Sequence, residues 1–488
     1  MIPRLDPPAA PAPYRDARAP AVLTLALLVA CAGTGGAPAA DDASGAAGPA
    51  GTARATAPDG PPRLSSSQWL GLLPDGVEKR RFILDCTGCH VFDGAIAFPG
   101  DSARSRDSWQ ERVQQMVGFA GAGTGFPVIS ADRDAAATAA WLSEAVRTPP
   151  RPARTASLPA GASVREFPYP PPGDLPHDLV VDAEGRVTIT GMLTHRLWVL
   201  DPASGTFAEA PIEAGGSASN PRAIDIAGDG ALWVVLGAPT TLARRDASSG
   251  AWSAWQVGMY PHSVAIDDDG RAWFNGHFTR DPPRWGYVRP GSEEVVTFDV
   301  PITPALAAGN GPMPYGLRIA PDGAVWGTEL VGNRLIRLDP ETGAFTTWSM
   351  PTPHSGPRRP DVAADGTVWI PEYANNRLAR FDPATESFEE FVLPVPDALP
   401  YVARVDRTRG TVWVGTGAAD AVFAFDPGSE TFTTYRLPTT GALVRHLDVD
   451  EATGEVWAAY GASPGIQARI ARIRPAAATP RPAGGAPN

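Results

Sequence analysis

A run of five residues could carry redox chemistry. Two thiols separated by two residues are followed at once by an imidazole, in the segment Cys86-Thr87-Gly88-Cys89-His90. Thiols at this spacing can form thioethers with the two vinyl groups of a haem, and the adjacent histidine can reach its iron. We therefore expect Cys86 and Cys89 to hold one covalent haem c, with His90 as an iron ligand.

Two other uses of this cysteine pair fit less well. A zinc site needs two more ligands, and the sequence has no second Cys/His pair nearby. A thioredoxin-type pair belongs in a βαβ unit, whereas this stretch has a helical pattern. The chain has three cysteines, and the third, Cys31, lies far upstream, so no disulfide framework is available.

The sixth position on a haem iron calls for another ligand in the same part of the chain. Met116 is the one methionine between residues 32 and 161, and thioether ligation raises the potential of a cytochrome. The alternative is that Met116 packs on the apolar side of its helix, as methionines in helices commonly do. We predict Met116 as the sixth ligand.

Residues 1–31 predict export from the cytoplasm. Basic residues precede an apolar run that is too short to span a bilayer but suits a signal peptide. The run ends in Leu28-Val29-Ala30-Cys31, which resembles a bacterial lipobox, so we expect a periplasmic or cell-envelope protein with a lipid anchor on Cys31. The alternative is a soluble secreted protein whose Cys31 leaves with the signal peptide.

Residues 32–148 predict a tether and then a small all-α domain. Residues 32–62 are nearly all small or polar and predict a disordered linker. Residues 63–148 show helical spacing, and 149–161 form a second, Pro/Arg-rich linker. The helical features are a helix at Val77–Leu84, a helix at Ser108–Val117 and a last helix capped by Ser130–Arg133.

Residues 162–475 repeat a unit of four short strands. A tryptophan position recurs every 40 to 53 residues, at Thr188, Trp233, Trp273, Trp326, Trp369, Trp413 and Trp457. This period predicts an all-β domain, a seven-bladed β-propeller. The last repeat lacks a fourth strand, which Ser163–Pro168 can supply to close the ring. Residues 476–488 predict a disordered tail.

The residue that follows the opening proline of each blade predicts a ring around one mouth of the central channel. Its members, the last of them after Val444 instead of proline, are His177, Arg222, His262, Tyr315, Arg358, Tyr401 and Arg445. The ring has no acid, so we predict a mouth that binds an anionic or phenolic group. Glu329 and Glu372 are predicted to compensate its arginines. The alternative is that channel water satisfies these polar groups.

Two resemblances extend this interpretation. Cys86–Leu142, with its CxxCH motif and a Trp-x-x-x-Val-x-x-Met helix, resembles the single-haem cytochrome c domains. The repeats, with their Asp-Gly-x-(Val/Leu)-Trp and Glu-x-x-x-Asn-Arg-Leu elements, resemble the streptogramin (virginiamycin B) lyase family over about residues 162–475. That resemblance implies a seven-bladed propeller that cleaves an ester-like C–O bond by elimination, with a ring histidine as base, acidic residues and Mg²⁺.

The match to the lyase family is divided between blades. His177 and His262 match the ring histidine, but their blades carry glycine where the family has an acid. Glu329 and Glu372 match the acid, but their ring residues are Tyr315 and Arg358. A catalytic pair could then form only across neighbouring blades, between His262 and Glu329.

Three functions remain open at this stage. The net charge of −12 excludes a nucleic-acid partner, which would need a basic face. The leading hypothesis is electron transfer between the haem and a small-molecule substrate or redox partner protein at the mouth. The alternatives are a C–O lyase that uses His262, Glu329 and Mg²⁺, and a non-catalytic redox sensor or binding module.

Overall fold

The computed structural model describes residues 64–476, with short gaps at 153–156, 172, 215, 217–218, 239, 279–281, 305, 307–310 and 462–466. The predicted signal peptide, lipobox-like site and tether, and all but the first residue of the predicted tail, lie outside the described residues. No helix in the described part is long and apolar enough to cross a membrane.

Helices occupy the first part of the described chain. They are α1 (Ser66–Leu70), α2 (Val77–Cys86), α3 (Gly94–Ala97), α4 (Arg106–Ala120) and α5 (Ala135–Ala145), with a 3-10 turn at Pro99–Asp101. The helix expected to start at Ser130–Arg133 starts later, because the Asp134 carboxylate accepts the backbone N–H of Ala136 and Ala137.

Strands occupy the rest of the chain and form seven four-stranded antiparallel sheets. The strand of the amino end is β1 (Ser163–Pro168). Blade 1 is β2 (Pro176–Val181), β3 (Val187–Gly191), β4 (Arg196–Asp201) and β5 (Thr206–Ala210). Blade 2 is β6 (Pro221–Ile226), β7 (Leu232–Leu236), β8 (Thr241–Arg245) and β9 (Trp252–Gln256). Blade 3 is β10 (Pro261–Ile266), β11 (Ala272–Gly276), β12 (Arg284–Val288) and β13 (Val295–Asp299).

The remaining blades follow in chain order. Blade 4 is β14 (Pro314–Ile319), β15 (Val325–Glu329), β16 (Arg334–Leu338) and β17 (Phe345–Ser349). Blade 5 is β18 (Asp361–Val362), β19 (Val368–Glu372), β20 (Arg377–Asp382) and β21 (Ser387–Val392). Blade 6 is β22 (Pro400–Asp406), β23 (Thr411–Thr416), β24 (Ala421–Asp426) and β25 (Thr431–Arg436). Blade 7 begins with β26 (Leu443–Asp450), β27 (Glu455–Gly461) and β28 (Arg469–Arg474).

The seventh blade takes its outermost strand from the other end of the propeller sequence. Strand β1 pairs antiparallel with β28, from Ser163 opposite Arg474 to Pro168 opposite Arg469. The predicted seven-bladed propeller and its closure are thereby confirmed. Without this pairing the edge of β28 would expose unpaired backbone groups.

The core of the propeller lies between adjacent blades, where apolar side chains from neighbouring sheets meet. The repeated tryptophans are buried there, and Trp326 stacks on Trp348 with ring centroids 5.4 Å apart. Alternating strand residues face such a core from either side, which explains the recurrence of one large aromatic residue per repeat.

Each ring residue sits where the innermost strand of its blade departs from regular pairing. The register shifts between the opening residue and the residues that follow it, for instance between Pro261 and Val264 in β10. In blade 5 the disturbance is larger, because Pro357 and Pro360 lack an N–H and β18 is reduced to two residues. These bulges turn the ring side chains away from the sheets and toward the axis.

The helical region packs on this same end of the propeller. One apolar cluster combines helix residues such as Phe82 and Leu142 with Met313, Leu399 and Leu443, which lie beside the ring. A salt bridge of 2.8 Å between Lys79 and Asp397 adds to the contact. The helices are therefore built onto the mouth of the channel.

Candidate functional site

The five-residue motif lies at the end of α2, where the chain leaves the helix. Both thiols are free, with Cys86 half-buried and Cys89 exposed. Burial and the nearby Asp85 carboxylate raise the pKa of Cys86 to about 12. The Nδ1–H of His90 donates to the Val91 carbonyl at 3.0 Å, which leaves Nε2 as the atom that can bind a metal.

The backbone of the motif is hydrogen-bonded to the propeller. The Tyr373 hydroxyl donates to the Thr87 carbonyl at 2.8 Å and lies 2.9 Å from the Thr87 hydroxyl. Arg445 Nη2 donates to the Cys89 carbonyl at 2.7 Å. Thr87 and Tyr373 are both fully buried, so these bonds are shielded from water.

The close approach at Gly88 adds a steric requirement. A Cβ atom at this position would lie 3.2 Å from Arg358 Nη2, closer than an ordinary van der Waals contact. A longer side chain would therefore have to displace the guanidinium. The absence of a side chain at Gly88 thus allows the motif to lie close to Arg358 of the ring.

The ring residues predicted from the repeats do meet around the axis. Ring centroids of His177 and His262 are 6.4 Å apart, and those of His262 and Tyr315 are 4.3 Å apart. The hydroxyls of Tyr315 and Tyr401 are hydrogen-bonded to each other. Apart from the half-buried Arg222, the ring side chains are 2% to 5% exposed, since the helical region covers them.

Arg358 occupies a cage of tyrosines. Its guanidinium carbon lies 3.8 Å from the ring centroid of Tyr373, 4.3 Å from that of Tyr401 and 4.8 Å from that of Tyr315. It also donates to the Tyr315 hydroxyl at 2.5 Å. Burial acts to raise the pKa of Tyr401, but Arg358 and Arg445 outweigh it and lower this pKa below its ordinary value.

No carboxylate in the described part of the chain lies within salt-bridge distance of Arg222, Arg358 or Arg445. Arg222 stacks instead on Tyr260 at 5.1 Å, and both Arg222 Nε and the Tyr260 hydroxyl are buried without a hydrogen-bond partner. The ring is a cationic surface whose charge its neighbours do not balance.

The ring histidines are held neutral. Burial lowers the pKa of His177 to about 4, although the Asp178 carboxylate at 2.7 Å acts in the opposite direction. Burial and the neighbouring His277 hold the pKa of His262 well below its ordinary value. Nδ1 of His262 donates to the Tyr315 carbonyl at 2.9 Å.

The two acids expected to serve the ring are engaged in their own blades. Glu329 is fully buried and accepts from Arg334 Nε at 2.6 Å across the β15–β16 turn. Glu372 accepts from Asn375 at 2.5 Å in the same turn of blade 5. Burial raises the pKa of both acids. Among the described residues, neither acid contacts His262 or a ring arginine.

The asparagine of the same repeated element has a structural role. Asn333 and Asn376 adopt positive φ in the β-hairpin turns, and their side-chain oxygens accept backbone N–H groups of the segment that leads to the next blade. The Glu-x-x-x-Asn-Arg element therefore shapes the blade turns in this chain.

Met116 lies in α4 and is half-buried. The same helix carries Trp109, whose indole N–H is buried without an acceptor. The loop that follows reaches the propeller, where Phe126 contacts Phe278 and Tyr260 with ring centroids 4.8 and 6.4 Å away. The motif and this loop thus reach the mouth at two places.

The donor set at the motif suits a covalently bound haem. Two unpaired thiols and an imidazole with a fixed Nδ1–H stand on consecutive turns of chain, and a buried indole N–H nearby lacks an acceptor such as a propionate. No group of three His, Cys, Asp or Glu side chains in the described residues is arranged to hold a bare metal ion.

Several residues of the site were not predicted from the sequence. Tyr373 directly follows the acid of blade 5, and Arg359 directly follows a ring residue. Arg359 Nη1 donates to both oxygens of Asp178, at 2.8 and 2.7 Å, across the channel. For Arg359 the available signal was a charged residue at a position that three other blades fill with Ala223, Gly316 and Val402.

Comparisons with known proteins agree with the fold. The sequence model of the virginiamycin B lyase family matches residues 296–478. A search of curated proteins finds no match. Selenomethionine-substituted virginiamycin B lyase from Staphylococcus aureus has a TM-score of 0.55 at 19% identity, over 64% of this chain and 99% of that one.

Two further solved structures are similar. A streptogramin B lyase gives a TM-score of 0.56 at 19% identity, over 64% of this chain and 97% of that one. YCF48 bound to a D1 peptide gives 0.50 at 13% identity, over 65% and 99%. At these identities the likeness concerns the fold. Residues 163–474 therefore form a seven-bladed β-propeller similar to that of the virginiamycin B lyases.

Proposed function

We propose that the chain is an exported c-type cytochrome that transfers electrons, with its haem-binding segment held on the mouth of a β-propeller. The observation that carries this proposal is the contact between motif and ring: Thr87 and Cys89, inside the CxxCH segment, bond through their backbone to Tyr373 and Arg445. A propeller unrelated to haem chemistry would have no need of these contacts.

Each residue of the segment has a role in this proposal. Cys86 and Cys89 would hold the haem through thioethers, and His90 Nε2 and the predicted Met116 would bind its iron. A bound haem would supply one-electron transfer. The helical region excludes water from the ring, and the positive charges of Arg358 and Arg445 beside the motif favour the reduced state.

The unbalanced ring suggests what approaches the site. Arg222 is half-buried, whereas the other six ring side chains are buried, and its Nε has no hydrogen-bond partner among the described residues. An anionic small molecule or an acidic patch of a redox partner protein would complement it. Location in the periplasm or cell envelope, through the predicted signal and lipid anchor, belongs to the same proposal.

The first experiment tests for haem. We expect the chain, expressed with a c-type haem assembly system, to carry one covalent haem, and Cys86→Ser/Cys89→Ser to carry none while keeping the propeller's circular dichroism. Thr87→Val is the matched control that retains both thiols. A folded wild-type protein without covalent haem, in cells that load another c-type cytochrome, would refute the proposal.

The second experiment tests electron transfer. We expect anionic or phenolic substrates, or a partner protein, to reduce or oxidise the haem at catalytic rates under anaerobic conditions. Arg222→Gln should raise the concentration needed for half-maximal rate. If none of these compounds or proteins changes the haem spectrum, the proposed electron transfer at the mouth is refuted, even if the haem is bound.

A second candidate function is the C–O lyase, favoured by the family match over residues 296–478. His262 is neutral and could act as a base, as in the family's chemistry, but Glu329, its predicted partner together with Mg²⁺, is bonded to Arg334 in this structure. The test is turnover of a cyclic lactone ester. Turnover that is lost with EDTA and with His262→Ala but kept in Cys86→Ser would favour the lyase over electron transfer.

A further inference from the structure

The channel of the propeller encloses a small polar cavity below the ring. It has a volume of about 20 Å³, which accommodates a particle the size of a water molecule. Its polar lining consists of Asp178, Ser263, Arg318, Arg359, Arg404 and His446.

Arg359 brings unpaired donors to this cavity. One nitrogen, Nη1, is bonded to Asp178, but Nε and Nη2 have no hydrogen-bond partner in the described part of the chain, although the side chain is only 6% exposed. A buried N–H without a partner is unfavourable by about 1–3 kcal/mol. Two such donors on one guanidinium indicate a place where an acceptor binds.

Arg404 brings a positive charge that no carboxylate of the described residues pairs with. Its partners are the Ala403 carbonyl at 2.9 Å and His446 Nε2 at 2.5 Å. Burial lowers the pKa of His446 to about 3, so this imidazole is neutral. Burying a guanidinium among neutral groups is costly unless a counter-charge joins it.

Arg318, the third arginine of the lining, has its own acids. Its Nε lies 3.6 Å from an oxygen of Asp361. The carboxylates of Asp225 and Asp448 also interact electrostatically with Arg318. The surplus of positive charge in the cavity is therefore centred on Arg359 and Arg404, with Asp178 as the one acid among the lining residues.

We propose that this cavity binds one small monovalent anion of about the size of chloride, between Arg359 and Arg404. The small volume favours a monatomic anion over sulfate, phosphate or a carboxylic acid substrate. A water molecule could accept the free N–H groups, but it would leave the charge unbalanced. The site is built by the propeller alone, so it does not depend on the proposed haem or on the activity at the ring.

Bromide provides a direct test, because its anomalous scattering distinguishes it from water. Crystals of the full chain soaked in sodium bromide are expected to show one anomalous peak in the cavity, within hydrogen-bonding distance of Arg359 and Arg404. Density in the cavity without an anomalous signal would mean that water fills it and would overturn the proposal.

Thermal unfolding tests the site in solution. With gluconate replaced by chloride at constant ionic strength, the Tm of the wild type should rise and saturate, as specific binding requires. Arg404→Gln should abolish the saturable rise while keeping the Asp178–Arg359 pair. Arg284→Gln, which removes an exposed partner of Asp299, is the control and should keep it.

A chloride response that is equal in Arg404→Gln and Arg284→Gln would refute binding in the cavity. If Arg404→Gln does not fold, the bromide experiment on the wild type decides alone, since it needs no variant.

Discussion

The channel is lined by two layers of residues that both contain buried arginines but differ in the acids beside them. The first is the ring at the mouth. The second, which we call the inner layer, lies three positions further along each innermost strand and consists of Val180, Asp225, Ala265, Arg318, Asp361, Arg404 and Asp448. The ring has three arginines and no acid, whereas the inner layer has two arginines and three acids.

The acids of the inner layer also join neighbouring blades. Asp361 accepts from Arg407 Nη2 at 3.0 Å and from the Val405 N–H at 2.8 Å, and Asp448 accepts the Val181 N–H at 3.0 Å. Asp361 and Asp448 thus join neighbouring blades, whereas Arg404 of the same layer bonds only to the Ala403 carbonyl and to His446 among the described residues. The ring arginines that are buried have no such acids as partners: Arg358 is enclosed by tyrosines, and Arg445 donates to the Cys89 carbonyl.

The largest expected effect comes from removing a balancing acid. Asp361→Asn removes the buried carboxylate that Arg407 and Arg318 share and should lower the stability of the propeller by about 3 kcal/mol. Chemical or thermal unfolding followed by tryptophan fluorescence measures this. Glu209→Gln, which breaks the exposed pair with Arg196, is the control and should change stability by less than about 1 kcal/mol. Equal losses of stability in the two variants would contradict a role of Asp361 in balancing buried arginines.

A smaller effect is expected where the ring holds the motif. Tyr373→Phe removes the hydroxyl that bonds to Thr87 and should weaken the attachment by about 1 kcal/mol. Faster hydrogen exchange of the α2 end and of residues 86–90, with the propeller strands unchanged, is the expected signature. Tyr435→Phe, in the interface between blades 6 and 7, is the control. Unchanged hydrogen exchange at residues 86–90 in Tyr373→Phe would show that the Tyr373–Thr87 hydrogen bond does not stabilise the motif.

The two layers should also differ in their response to pH. Burial raises the pKa of Asp225 and of Asp448 from 3.8 to about 6, so their protonated forms are favoured in the folded state. This contribution to stability is fully present below pH 3.8 and is lost as the pH rises through about 6. Asp225→Asn/Asp448→Asn should therefore gain Tm over the wild type between pH 5 and 7. A difference that does not change with pH would refute this.

The neutral histidines of the ring act in the opposite direction. His177 has its pKa lowered from 6.5 to about 4 by burial, so its contribution to stability is present above pH 6.5 and lost as the pH falls toward 4. His177→Gln should flatten the acid side of the stability profile between pH 6.5 and 4. An unchanged acid limb would show that His177 is protonated in the folded state.

The smallest effect is spectroscopic. Arg358 and Arg445 lower the pKa of Tyr401, so one phenol should ionise below pH 10 in an ultraviolet titration of the folded protein. Tyr401→Phe should remove that first step, and Tyr287→Phe should retain it. A first step that survives in Tyr401→Phe would assign it to another tyrosine.

The repeat pattern was sufficient to predict the blades, the closing strand and the ring. These features depend on local spacing, which every blade repeats, so seven copies of the same signal reinforce one another. The partners of the ring were not predictable in this way. Asp178 and Arg359 lie in blades 1 and 5 and are 181 residues apart, and no repeat relates them.

The acids were predicted for the ring but bond within their own blades. Glu329 and Arg334 are five residues apart across a tight turn. Bringing such close neighbours together costs less chain entropy than bringing distant residues together, so the local pair forms. The cover over the ring could not be foreseen either, because the contact of Thr87 with Tyr373 joins two parts of the chain that have different patterns. The predicted ligand set of Met116 and His90 stays a prediction.

The pairing of β1 with β28 has a consequence for the order of events during synthesis. The first strand of the propeller is synthesised about 300 residues before its partner, so the ring can close only after all the intervening blades have been made. The helices and the cysteine motif are complete long before a mouth exists to receive them. Any covalent modification of Cys86 and Cys89 thus has a period in which both thiols are fully accessible, whereas in the closed propeller Cys86 is half-buried.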